Sequence, residues 1–317
     1  MKILFIAPRY SGGVGGHAKR VADKLREEGF EIELMHAPHV PIKKLKNLTF
    51  AISSSRKAIL GRKTYDVVHA FNLPSAFAMK YTKAKKKVLS IHGVYSEQID
   101  ALHSQTTSTK VKNKESDILK WANKLLTNSK NVQQSYKKKL DLDFDYIYGP
   151  IDVEKFKKIP ENIAKNEKQV VYVGRDSYEK GMDILKKIEG KINAKVVYCT
   201  NLDWESAMQI LKSSDIVIVP SRIDNIPNVI KEAFFLKIPV IATDIKWISE
   251  IVTNNVNGIL VPSEEPEKLA TAINQLLDNK EKMKEITENG YDFIIKNMTW
   301  DVLLPKYIEF YEKLIKQ

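Results

Sequence analysis

Ser221-Arg-Ile-Asp-Asn-Ile-Pro-Asn-Val-Ile-Lys-Glu232-Ala233 follows directly on the apolar run Asp215-Ile-Val-Ile-Val-Pro220. The run has the composition of a strand buried on both faces of a parallel sheet. Asp224 or Asn225 is the predicted N-cap of the next helix, and Pro227 suits its first turn. Val229, Ile230, Ala233 and Phe234 then share one apolar helix face. A further strand is predicted over 238–243, which makes a β-loop-α-β unit. Open α/β sheets bind ligands at the carboxyl ends of their strands, so this loop and helix start form a candidate site. The N–H groups of Asn228 and Val229 are placed to face an anion. Asp224 and Glu232, eight residues apart, suit the hydroxyls of a sugar and a ribose beside that anion.

Upstream, Val170-Val-Tyr-Val173 reads as a strand that ends in Gly174-Arg175 and runs on to Glu179-Lys180-Gly181. Two cations at a strand end can neutralise a pyrophosphate leaving group. Further back, residues 2–7 read as a first strand rather than a signal peptide. A loop with four glycines, Gly12, Gly13, Gly15 and Gly16, and a helix over 17–28 follow. Such glycines let the backbone approach a phosphate or sugar closely. Gly13-x-Gly15-x-x-Ala18 also matches a dinucleotide fingerprint, with Glu33 about 20 residues on. Against that match, a loop from Pro8 separates the strand from the glycines, and Glu33 lies inside the strand 31–35.

His92-Gly93 closes a strand over 88–91, which places His92 at a second ligand-facing strand end. His69, inside a strand over 66–71, reads as a core or edge histidine. Residues 103–114 read as a polar, basic loop. Asp141, Asp143 and Asp145 fall in a helix-to-strand connection and read as a solvated turn rather than a metal site. The single Cys199 excludes an intramolecular disulfide framework and suits a reducing cytoplasm. No run approaches the ~20 apolar residues of a membrane span.

Charge is unevenly spread. Residues 1–155 carry 28 Lys and Arg against 15 Asp and Glu, whereas 156–317 carry 23 against 24. The basic half suits nucleic acid, an anionic membrane or an anionic substrate. The basic runs lack the interleaved aromatics of a stacking platform for nucleic acid. Within 41–60, Ile42, Leu45, Leu48, Ile52 and Ile59 recur at roughly helical spacing among Lys43, Lys44, Lys46, Arg56 and Lys57. A basic amphipathic helix of this kind either lies on anionic lipid or packs on the sheet with a solvated basic face.

Taken in order, these motifs resemble those of the retaining GT-B glycosyltransferases of family 4 (glycosyl transferases group 1). The resembling residues are Gly12-Gly13-x-x-x-His17, His92-Gly93, Gly174-Arg175…Lys180-Gly181, Asp224…Glu232-Ala233 and Thr299-Trp300…Tyr307…Tyr311. The chain departs in having Asp224 for the usual Glu and Lys246-Trp247 for two glycines. The resemblance implies two Rossmann-like domains with parallel sheets facing across a cleft. Residues 1–155 would form the acceptor-side domain, 156–296 the nucleotide-sugar domain, and 297–317 a terminal helix packed back on the first. It implies retaining, metal-independent transfer of a sugar from a UDP- or GDP-linked donor to a hydroxyl acceptor, with no cofactor. Arg175 and Lys180 would hold the pyrophosphate, with Gly12, Gly13, Gly174, Asn228 and Val229 adding backbone contacts. Glu232 would take the ribose, Asp224 the sugar hydroxyls, and His92 would position the sugar. With the charge asymmetry, the expectation is a cytoplasmic enzyme, peripheral on an anionic membrane and acting on a lipid or lipid-linked acceptor. A soluble acceptor, an NAD-dependent oxidoreductase and a nucleic-acid-binding protein are the other readings.

Overall fold

A computed structural model describes residues 1–10, 13–38, 46–94, 114–161, 163 and 167–317. The chain divides into two compact units, one of residues 1–149 with 303–317, the other of 150–302.

The first unit is built on six parallel strands: β1 (Lys2–Ile6), β2 (Glu31–Met35), β3 (Tyr65–Phe71), β4 (Ala84–Ile91), β5 (Lys124–Thr127) and β6 (Phe144–Tyr146). Their spatial order is β2-β1-β3-β4-β5-β6, so the winding direction reverses between β1 and β3. Ile3, Phe5, Val67, Val68, Val88 and Leu89 are fully buried on the central strands, which explains their near-continuous apolar sequence. Helices α1 (Gly13–Glu27), α2 (Lys46–Leu60), α3 (Leu73–Tyr81) and α4 (Lys130–Leu140) connect them. The terminal helix Trp300–Lys316 supplies Tyr307 and Tyr311 to this unit. Tyr311 Oη lies 2.6 Å from His69 Nδ1, and Ser90 Oγ 2.6 Å from His69 Nε2. His69 is thus a core histidine with both ring nitrogens satisfied.

Two expectations change here. Helix α1 begins at Gly13, four residues before the predicted start, so Gly15 and Gly16 are helical rather than part of an open loop. A Cβ on Gly15 would stand 1.6 Å from the Arg9 carbonyl oxygen, so this glycine serves a close approach of the chain to itself. Glu33 lies in the middle of β2, engaged by Lys63 at 2.9 Å and by the Tyr65 hydroxyl at 2.8 Å, which counts further against it as the ribose acid of a dinucleotide site. Asp141 and Asp143 pair with Lys137 at 2.7 and 3.1 Å, as a solvated turn should, whereas Asp145 stands within β6 and pairs with Lys124 at 3.1 Å. Most of the basic loop at 103–114, and Gly12, Ile42, Lys43, Lys44 and Leu45, lie outside the described residues.

The second unit repeats the architecture with five parallel strands: β7 (Gln169–Val173), β8 (Lys195–Cys199), β9 (Ile216–Val219), β10 (Val240–Thr243) and β11 (Ile259–Val261). Their order, β11-β10-β9-β7-β8, reverses between β7 and β9. Helices α5 (Met182–Ile188), α6 (Trp204–Lys212), α7 (Asn228–Phe235), α8 (Pro266–Leu277) and α9 (Lys280–Asn297) cover the sheet. One core joins Val170, Tyr172, Leu185, Ile216, Ile218, Ile241 and Ile273. Cys199 is buried at the end of β8, and burial pushes its thiol up to about 11, so it is inert at neutral pH.

Candidate functional site

The winding reverses between β7 and β9, and the carboxyl ends of two such adjacent strands are the place where doubly wound sheets hold ligands. The loop after β7 carries Gly174, Arg175 and Lys180; the loop after β9 carries Asp224 and leads into α7. These segments lie some forty residues apart in sequence, and the sheet order makes them neighbours.

Lys180 Nζ and Asp224 Oδ2 are 2.5 Å apart, with the side chains 24% and 10% exposed. Ser221 Oγ donates to the same carboxylate oxygen at 3.1 Å, and the Asn225 amide donates to Oδ1 at 3.0 Å. Both oxygens of Asp224 are thus engaged, and it does not cap the helix. Helix α7 starts at Asn228 with Pro227 as its N-cap and no side-chain cap, which corrects the capping expectation. Asn228 is exposed and Val229 half-buried at that start. Uncapped N–H groups at a helix start favour an anion.

Gly181 makes the meeting of the two loops possible. Its φ is +66°, and a Cβ there would stand 1.9 Å from the Pro220 carbonyl oxygen. Arg175 is exposed, and its carbonyl accepts from the Tyr172 hydroxyl at 2.7 Å, which shapes the turn. Ser177 Oγ, between Arg175 and Lys180 in sequence, is buried and has no hydrogen-bond partner among the described residues. A buried hydroxyl left in this way is costly unless a ligand or water meets it. Glu232 Oε1, one turn into α7, accepts from Trp204 Nε1 at 2.9 Å. Trp204 packs edge-on against Phe156, with ring centroids 5.0 Å apart. After β10, Lys246 Nζ lies 4.8 Å from the centroid of the Trp247 ring.

In the first unit, His92 follows β4 at the carboxyl edge of the sheet. Its ring meets His17 of α1 edge-on at 5.1 Å, and the Tyr307 hydroxyl lies 3.2 Å from His17 Nε2. The structure thus joins Gly174, Arg175, Lys180, Asp224, Asn228, Val229 and Glu232 around one strand crossover of the second unit. His92 and Gly13 belong to the first unit. Sequence reasoning missed Trp204 and the role of Arg222, described below. Neither carries a local signal, because the partners lie 28 to 44 residues away. Chemically, two cations, a helix start and two carboxylates can hold a phosphate group beside hydroxyls.

Comparison with known proteins identifies the family and the fold. A family model described as Glycosyltransferase Family 4 matches residues 11–155, and one described as Glycosyl transferases group 1 matches 153–279. The chain is 23% identical to an uncharacterised glycosyltransferase of Methanocaldococcus jannaschii over 98% of each chain. Its fold is similar to that of sucrose-phosphate synthase from Thermosynechococcus elongatus, with a TM-score of 0.83 at 17% identity over 99% of each chain. Anabaena HepE in complex with UDP-glucose superposes with a TM-score of 0.73 at 16% identity, over 99% of this chain and 100% of that one. With two parallel-sheet Rossmann-like units and consecutive family matches over most of its length, the chain belongs to the group 1 glycosyltransferases and has their GT-B fold.

Proposed function

We propose that the protein transfers a sugar, with retention of configuration, from a UDP- or GDP-linked donor to a hydroxyl of a lipid or lipid-linked acceptor at an anionic membrane surface on its cytoplasmic side. The observation that carries the donor half is the Lys180–Asp224 pair at the β7/β9 crossover, in whose first loop Arg175 and the buried Ser177 hydroxyl also stand. Arg175 and Lys180 bind the diphosphate and stabilise the charge that develops on it as it departs. Backbone at Gly174, Asn228 and Val229, and at Gly13, adds donor contacts. Asp224 takes sugar hydroxyls, Glu232 takes the ribose, and His92 positions the transferred sugar. The departing phosphate acts as base for front-face attack, and the paired cations serve in place of a metal; no organic cofactor is assigned. The HepE complex with UDP-glucose supports a donor of this class.

The membrane half rests on surface chemistry. Among the described residues, Leu48, Ile52, Ile59 and Leu60 of α2 and Phe77 and Tyr81 of α3 expose large apolar side chains. Arg56, Lys57, Lys80 and Lys83 are exposed among them. Lys80 Nζ lies 4.2 Å from the Trp121 ring centroid, and Phe77 meets that ring at 5.3 Å. Apolar and aromatic side chains framed by cations suit an anionic lipid interface. No helix among the described residues is long and apolar enough to cross a membrane.

A panel of nucleotide sugars with thermal-shift readout tests the donor. UDP- or GDP-linked sugars should raise Tm in proportion to the logarithm of concentration, and NAD(H) should not. Stabilisation by NAD(H) alone would refute the reading.

A further inference from the structure

Arg222 is the second residue of the stretch that opens the β9–α7 loop, and its side chain is only 8% exposed. A guanidinium withdrawn from water this far must have every donor met. Here all five are. Nη1 and Nη2 hold both oxygens of Asp183 at 2.6 and 2.8 Å. Nη1 also donates to the Tyr178 carbonyl at 2.8 Å. Nε and Nη2 both reach the Glu264 carboxylate. The guanidinium carbon lies 4.1 Å from the Tyr178 ring centroid. With its donors spent inside the protein, Arg222 has none for a phosphate, although a cation in this loop invites that assignment.

What these bonds hold is the turn Tyr178–Lys180. The Arg222 side chain grips its first residue. The Arg222 and Ile223 amides both donate to the Glu179 carbonyl, at 2.9 and 3.1 Å. Gly181 then lies against Pro220, as described above. The turn is thereby bound to the loop after β9 along its whole length, and Lys180 leaves it aimed at Asp224. Glu264 adds an independent sign. Its φ is +62°, a conformation that a non-glycine residue rarely adopts. Such strain persists where surrounding contacts over-determine it, and its carboxylate is one of the Arg222 partners.

We propose that Arg222 is a positioning residue that fixes the Tyr178–Lys180 turn, and so places the Lys180 ammonium for the second phosphate of the donor. The inference rests on the donor class proposed above. Lysine cannot replace it, because a single ammonium lacks the planar fork that spans Asp183, Glu264 and the Tyr178 carbonyl together.

The test compares Arg222→Lys with the wild type in two measurements. Hydrogen exchange of the amides of residues 179–182 should quicken at least tenfold in the variant, while the amides of β9 stay protected. Calorimetric binding of UDP, UMP, GDP and GMP should show about a tenfold weaker diphosphate and a monophosphate within twofold. Adding Lys180→Ala to Arg222→Lys should cost little more diphosphate affinity than Lys180→Ala alone. Should Arg222→Lys not fold, Asp183→Asn and Glu264→Gln each remove one partner and should show the same selective loss. Unchanged exchange, or equal loss of mono- and diphosphate, overturns the proposal. If the wild type binds neither diphosphate, the donor class fails, and the exchange measurement still decides whether Arg222 holds the turn.

Discussion

Lys180 Nζ lies 2.5 Å from Asp224 Oδ2, so an anion that draws on this ammonium competes with a carboxylate already beside it. The pair predicts opposite effects of its two halves. Lys180→Ala should lower kcat/KM by about 2–4 kcal/mol, as should Arg175→Ala, the scale of a lost contact to developing charge. Asp224→Asn should depress turnover while leaving nucleotide affinity intact or tighter, because it frees the ammonium. Equal loss of affinity in both variants, measured by calorimetry with UDP and GDP, would show that the roles are not divided in this way. Trp204 acts one step away. Trp204→Phe keeps the packing on Phe156 but removes the indole donor to Glu232. A hydrogen bond to a charged acceptor contributes about 1.5–3 kcal/mol, so nucleotide binding should weaken by up to that amount with kcat little changed. A fall confined to kcat would assign Glu232 to the sugar rather than the ribose.

Helix α2 shows where element-level reading succeeds and where it stops. The sequence placed a basic amphipathic helix here, and Leu48 and Ile52 of its apolar stripe are 58% and 61% exposed. The buried face is instead Phe50, Ser54 and Ala58. Ser54 is tolerated there because its hydroxyl donates to the Phe50 carbonyl at 2.6 Å, a bond that binary patterning cannot see. Leu48→Glu with Ile52→Glu should therefore leave Tm nearly unchanged and release the protein from vesicles rich in anionic lipid, as read by sedimentation at low salt. Retention of the double variant on such vesicles would move the contact elsewhere; indifference of the wild type to vesicle charge would favour a soluble acceptor. Strand positions, the two sheets and the site loops were legible because parallel strands are continuous apolar runs punctuated by glycine and proline. Helix starts were less so. Asp224 looks like a cap by local rules, but Lys180, 44 residues away, claims its oxygen. Gly15 looks like loop until the Arg9 carbonyl beside it is known.

Over the whole molecule, charge and protonation separate the two units. The excess of cations belongs to residues 1–155, so vesicle binding should weaken as salt is raised, by about 1 kcal/mol for each Lys or Arg that leaves the surface. The first unit also contains a buried base. Desolvation, and secondarily the charge of His92, holds His69 well below its ordinary value of 6.5. Below about pH 6.5 the unfolded chain then binds a proton that the folded chain refuses, and stability falls as the pH drops from there toward the folded value. Above that window His69 contributes no slope. Urea denaturation between pH 7.5 and 5.5 should show a loss of up to about 1.4 kcal/mol per pH unit from this residue. His69→Gln should flatten it, and an unaltered slope would place the acid sensitivity elsewhere.

The bond between His69 and Tyr311 spans 242 residues of sequence. A ribosome adding residues at about 5–20 per second takes roughly 10–50 seconds to travel from one to the other. During that time the entire second unit, residues 150–302, is synthesised, while the first awaits the aromatic helix that closes its core. Birth order and completion order are therefore inverted in this chain. The half made first is finished last, and a released chain truncated at residue 302 should expose the His69 face to chaperones while its younger half is already resistant to protease.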